Sequence, residues 1–215
     1  MTYEQYLNRT EYAVKQLFDS LSHYQDLIGK SISPIITAEE LDLEHDFRSE
    51  DFFQSLNDFL DDNPEIKKQQ ELSKSKFREY MDKNPAHAII CGSILQVAHM
   101  GISKFSNYDE QCAIPVKNKS CKFCIGRLIK GVPIGLIIYA GRNQYNHWDE
   151  KPHELTEDIF DILATSNNAT NYKDPAFNIN LANIDVYSHN ILSLLGWVSY
   201  NDYKNDMLAI SNCFK

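Results

Sequence analysis

Apolar residues recur at spacings of three and four along most of this chain, and that pattern predicts a protein built from helices. Over residues 3–27, Tyr6, Ala13, Leu17, Leu21 and Tyr24 fall near helical spacing, and no Gly or Pro interrupts before Gly29. Residues 31–36, with Pro34, read as a connector. Thr37-Ala38-Glu39-Glu40 then has the form of a capping box that opens a short helix. Over 50–60, Phe52, Phe53, Leu56, Phe59 and Leu60 mark an amphipathic helix, and Asp61-Asp62-Asn63-Pro64 supplies its stop and the first-turn proline of a charged helix over 65–81. The first 83 residues are rich in acids and hold no catalytic constellation, so they are expected to form a helical extension or a dimerisation arm.

Asn84-Pro85 is a good N-cap and first-turn pair for the segment 86–105, which is apolar on most of its circumference and so reads as a central core helix. A basic segment, 116–130, and Gly131-Val132-Pro133 follow. Residues 134–148 are ambiguous because Ile134-Gly135-Leu136-Ile137-Ile138-Tyr139 also suits a short buried strand; Pro133 and the unbroken length through Trp148 favour helix. Residues 154–165 are amphipathic, 166–175 form a polar Asn-rich loop, and 183–200 carry Ile184, Tyr187, Ile191, Leu194, Leu195 and Val198 as one further core helix. The expected fold is all-α: a helical bundle over 84–215 with an N-terminal helical extension over 1–83.

With 215 residues the chain is long enough to bury a sizeable core without covalent staples. Its five cysteines are odd in number and scattered, which fits reduced thiols. The N-terminus lacks the basic flank and apolar run of a signal peptide, and no uninterrupted apolar stretch approaches the roughly 18 residues of a membrane span. A soluble, cytoplasmic protein with no membrane partner is therefore expected.

Charge changes the picture. A formal net charge of -9 argues against a phosphate-bearing partner, yet between Glu110 and Asp149 there is no acidic residue, while Lys117, Lys119, Lys122, Arg127, Lys130 and Arg142 all fall there. That window carries +6 and leaves -15 to the remainder, so an acidic chain is expected to present one basic face.

Most familiar chemistries lack their residues. Cys121-Lys122-Phe123-Cys124 has the spacing of half a zinc site, but no second ligand pair exists, and the helical context is wrong for a thioredoxin-like pair. His87 and Cys91 at i and i+4 are two potential ligands where a metal needs more, and they read with His99 as buried or rim side chains. No phosphate-cradling glycine loop, Gly-x-Ser-x-Gly elbow or His-Glu-x-x-His is present. No metal and no cofactor are expected.

What remains is Arg142-Asn143-x-x-x-His147. On a helix Asn143 and His147 share a face, and Arg142 lies about 140° around the axis from His147, at about 100° per residue. The two splayed groups would converge on one ligand most easily if a second copy packed against the first across a two-fold axis. The residue types suit metal-free RNA cleavage, in which the ribose 2′-hydroxyl attacks the adjacent phosphate. His147 would move the proton, Arg142 would hold the phosphate, and Asn143 would orient the imidazole or donate to a phosphate oxygen. Lys117, Lys119, Lys122, Arg127 and Lys130 would guide the RNA backbone.

This Arg-polar-x3-His hexapeptide, beside a strongly apolar helix, resembles the HEPN superfamily of helical domains, found in many toxin and antiphage RNases. The resemblance rests on the one motif and on the helical pattern over 84–200. It implies a homodimer whose Arg142 and His147 face one another across the interface as catalytic groups, Asn143 as the polar third member, and an endoribonuclease of toxin or defence type with a possible antitoxin-like protein partner. Gly135 and Gly141 depart from what a helix prefers, since glycine costs about 1 kcal/mol inside one. The competing expectations are a non-catalytic helical module that binds RNA, a nucleotide or a protein through the same basic face, and a purely structural helix end in which Arg142 pairs with Asp149 or Glu150.

Overall fold

A computed structural model describes residues 1–29, 58–68, 85–165, 173–174, 176–179 and 187–214. Helix dominates among them, and their only sheet is a two-stranded hairpin, in agreement with the periodicity. Helix α1 spans Tyr3–Gly29. A reciprocal cap fixes its start: the Gln5 N–H donates to Thr2 Oγ1 at 3.2 Å, and the Thr2 N–H donates to Gln5 Oε1 at 3.0 Å.

Helix α2, Pro85–Phe105, turns Cys91, Ile94, Leu95, Ala98 and Ile102 into the core. By length and composition it is the one described helix that qualifies to cross a membrane, yet this buried stripe is what a central core helix requires. A 3-10 helix, Asn118–Phe123, follows, then the antiparallel strands β1, Leu128–Ile129, and β2, Val132–Pro133. Their turn holds Lys130 at φ 50° and Gly131 at φ 80°, the left-handed pair that matches strand twist in a two-residue hairpin.

The ambiguous segment is a helix, α3, over Ile134–Asn146. Ile134, Leu136, Ile137, Ile138 and Ala140 are all buried because α3 is the hub: it packs against α4 (Glu154–Ala164), α5 (Ser188–Leu195), the 3-10 helix and β2. Its two glycines mark close approach. A Cβ on Gly135 would lie 2.4 Å from the Phe123 carbonyl oxygen, and one on Gly141 would lie 3.0 Å from Ile191 and 3.2 Å from Leu95.

The single helix expected over 183–200 is instead interrupted. Helix α5 stops at Gly196, whose φ of 70° suits glycine and whose N–H returns to the Leu192 and Ser193 carbonyls. Trp197 is buried, but Val198, expected in the core, is 70% exposed. Ser199 and Asp202 then form a capping box that opens α6, Tyr200–Ser211.

The chain divides into two units, Met1–Ser22 with Ala86–Lys215, and His23–Pro85. The first contains the main core, in which Tyr3, Tyr6, Val14, Phe18 and Leu21 of α1 join the buried faces of α2 to α6. Met1–Ser22 thus falls in the same unit as Ala86–Lys215. In the second unit, helical stretches at 58–62 and 64–68 are separated at Asn63, with Pro64 opening the second as expected. The connector at 31–36, the Thr37 capping box, most of the helices expected over 50–60 and 65–81, the Asn84 cap, most of the loop at 166–175 and the start of the helix expected from 183 lie outside the described residues.

Candidate functional site

Arg142 and Asn143 lie in the last turn and a half of α3, facing α2. The two helices come close because α2 has glycine at position 92: a Cβ there would fall 2.4 Å from the Tyr145 ring. One turn farther along α2, Gln96 Oε1 accepts from Arg142 Nε at 2.8 Å. Arg142 Nη1 donates to Asn143 Oδ1 at 3.1 Å. The Asn146 amide faces the same guanidinium; in the better of its two orientations its oxygen accepts from Nε at 2.9 Å and Nη2 at 3.0 Å. Among the described residues the hydrogen-bond partners of Arg142 are thus neutral amides, and no ion pair among them involves it. The expected pairing with Asp149 or Glu150 is not formed.

His147 stands just past the end of α3, with φ -127° and ψ 39°. Its N–H donates to the Asn143 carbonyl at 3.0 Å, so the i, i+4 relation predicted between the two residues exists in the backbone and not as a shared side-chain face. The Asn143 side chain is buried and committed to Arg142. The imidazole partner is Glu150 instead: Nδ1 lies 3.1 Å from Glu150 Oε2, and the His153 ring stands edge-on with centroids 6.1 Å apart. The His147 side chain remains 41% exposed, so it is open to a ligand.

Beneath this surface lies a second imidazole. His99 of α2 stacks on Phe123 at 4.9 Å and leans on Tyr139 at 6.1 Å. Burial first, then the Arg142 and Lys122 charges, pushes its pKa down to about 4, so it is neutral at neutral pH.

The five expected guides divide in two. Lys117 and Lys119 are exposed, and Lys117 approaches Glu154 at 4.0 Å. The other three serve the fold. Lys122 Nζ donates to the Ser103 carbonyl at 3.0 Å and Oγ at 2.9 Å. Arg127 grips both Asp206 oxygens, at 2.9 and 2.8 Å, and donates to the Leu195 carbonyl at 2.6 Å. Lys130 donates to the Leu163 carbonyl and lies over the Phe177 ring. The basic window is real in sequence, but half of its charge is spent joining elements together.

His87 faces the His189 ring at 5.7 Å, and Cys91 is buried with its thiol pushed up to about 12 by desolvation. Among the described residues no three side chains are grouped to hold a metal ion. Sequence reasoning missed Gln96 and Glu150 as the residues that set the geometry of Arg142 and His147. Glu150, three residues from His147, was within reach of spacing arguments; Gln96 lies 46 positions from Arg142 and gave no local signal. Compared with protein-family models, curated proteins and solved structures, the chain matches none.

Proposed function

We propose that this protein is a metal-independent endoribonuclease of HEPN type that acts as a homodimer. The observation that carries the reading is the Arg142 guanidinium, fixed by Gln96, Asn143 and Asn146 through neutral amides alone, so that its charge is oriented yet not cancelled. A planar cation in that condition suits a phosphate oxygen pair, whereas one neutralised by a carboxylate would not. His147, turned outward and backed by Glu150, is the proton carrier.

In the proposed reaction the ribose 2′-oxygen attacks phosphorus and gives its proton to one imidazole. The 5′-oxygen leaves and takes a proton from the imidazole of the second copy. Arg142 balances charge on the phosphate oxygens as it develops. A 2′,3′-cyclic phosphate and a 5′-hydroxyl result, with no step that calls for a metal. Toxin or defence use, an antitoxin-like partner and a cytoplasmic setting belong to the same proposal.

A second reading, RNA binding without cleavage, is favoured by Asn143, which serves Arg142 and leaves His147 without an amide partner. Fluorescence anisotropy with short single-stranded RNA tests the element common to both. Arg142→Gln is expected to weaken binding at least about tenfold and to flatten its salt dependence; unchanged affinity would remove Arg142 from the site.

A further inference from the structure

Away from the candidate site, three of the five cysteines gather where the loop after α2 meets the 3-10 helix. The sequence draws the eye to Cys121 and Cys124, but the structure pairs Cys124 with Cys112, their sulfurs 2.7 Å apart. A disulfide bond is about 2.05 Å long, so these two sulfurs need only a small further approach to form one. Cys121 faces elsewhere: its sulfur accepts from Gln111 Nε2 at 3.4 Å. Cys112 is half-buried and reachable from solvent, and Cys124 is buried behind it.

The geometry points to a dithiol site for a peroxide oxidant, with Cys112 as the attacking sulfur and Cys124 as the resolving one. The Cys112 thiolate attacks one peroxide oxygen, the O–O bond breaks, and a sulfenic acid forms as hydroxide leaves with a proton as water. Cys124 sulfur then attacks Cys112 sulfur, the S–O bond breaks, and the Cys124 proton departs with that oxygen as a second water. Two thiols become one disulfide and the peroxide becomes two waters. The order follows from exposure, and burial agrees with it: the Cys124 thiol is pushed up to about 12, chiefly by desolvation, so it does not attack first. The bond would tie the 112–116 loop to the end of the 3-10 helix, next to Phe123, on which His99 stacks.

The test treats the full chain with hydrogen peroxide, titrates thiols in denaturant, and maps linked peptides by mass spectrometry. Titratable thiols are expected to fall from five to three and to recover with dithiothreitol, the link joining Cys112 to Cys124. Cys121→Ser should show the same loss of two. Cys112→Ala, at the half-buried position and so the variant that retains its fold most readily, should lose the link, as should Cys124→Ser. No loss of thiols, irreversible oxidation of Cys112 alone, or a link between any other pair would overturn the proposal.

Discussion

Gly135→Ala isolates what holds α3 in place. Two effects compete. Alanine is favoured over glycine in a helix interior by about 1 kcal/mol, which alone predicts a gain. Against it, the new methyl would sit 2.4 Å from the Phe123 carbonyl oxygen and 3.1 Å from an Ile125 side-chain carbon. The first neighbour is backbone of the 3-10 helix, and the Gly135 N–H is itself bonded to the Ile125 carbonyl at 3.1 Å, so α3 cannot withdraw without losing that bond. Overpacking of this kind costs about 1–3 kcal/mol and more where backbone must move. Because the clash is with backbone, the upper part of that range, about 2–3 kcal/mol, applies, and after the helix gain of about 1 kcal/mol the variant should be less stable by about 1–2 kcal/mol net. For a chain of this size that is a fall in Tm of several degrees, at about 2–4 °C per kcal/mol. Urea unfolding followed by circular dichroism measures it, with Gly131→Ala as a comparison. Gly131 has open space around it but φ 80°, so its loss of about 1 kcal/mol would come from backbone strain alone. A Gly135→Ala protein as stable as the parent, or more so, would refute the close approach of α3 to the 3-10 helix.

Asp206→Ala removes the acceptor of the Trp197 indole N–H at 2.8 Å together with both Arg127 bonds. Arg127 is half-exposed and water replaces much of what it loses, so the unpartnered buried indole dominates, and the expected destabilisation is about 1–3 kcal/mol; Asp206→Asn, which keeps an acceptor for Trp197, should lose less by urea midpoint. Acid should destabilise the fold through His99: an unfolded imidazole takes its proton below about 6.5, whereas burial and the Arg142 and Lys122 charges hold the folded one off until about 4. The unfolded chain thus binds more protons in that window, and stability falls as pH drops through it, by on the order of 3 kcal/mol. The direction at His87, lowered by burial and by His189, adds the same sign. A pH series of urea midpoints should show the slope reduced in His99→Phe, and an unchanged slope would contradict the assignment.

The fold was legible where one period ran without competition. In α2 the buried stripe Cys91, Ile94, Leu95, Ala98 and Ile102 is continuous, and in α4 the buried residues are Ile159, Phe160, Leu163 and Ala164, with Thr156 a turn earlier. It was misread at 183–200 because apolar residues continue through Trp197 and Val198, so the pattern masked both Gly196 and the Ser199 to Asp202 capping box that a stricter reading of start and stop signals would have found. The glycines of α3 looked like a defect and are the means by which the helix sits close to its neighbours. At the candidate site, residue types were legible and partners were not. Spacing located Arg142 and His147, but only tertiary packing brings Gln96 to one, and only the turn after α3 brings Glu150 to the other. Counting charge likewise could not tell exposed Lys117 and Lys119 from Lys122, Arg127 and Lys130, which are engaged within the fold.

The central claim is that Arg142 and His147 cleave RNA without a metal ion. Its most direct measurement incubates single-stranded RNA with the parent protein, Arg142→Ala and His147→Ala in excess EDTA, after circular dichroism has established that all three are folded. The account predicts cleavage by the parent, fragments ending in 2′,3′-cyclic phosphate, and a loss of at least about 10²-fold in each variant. Cleavage that needs added metal, or that persists in both variants, would contradict it.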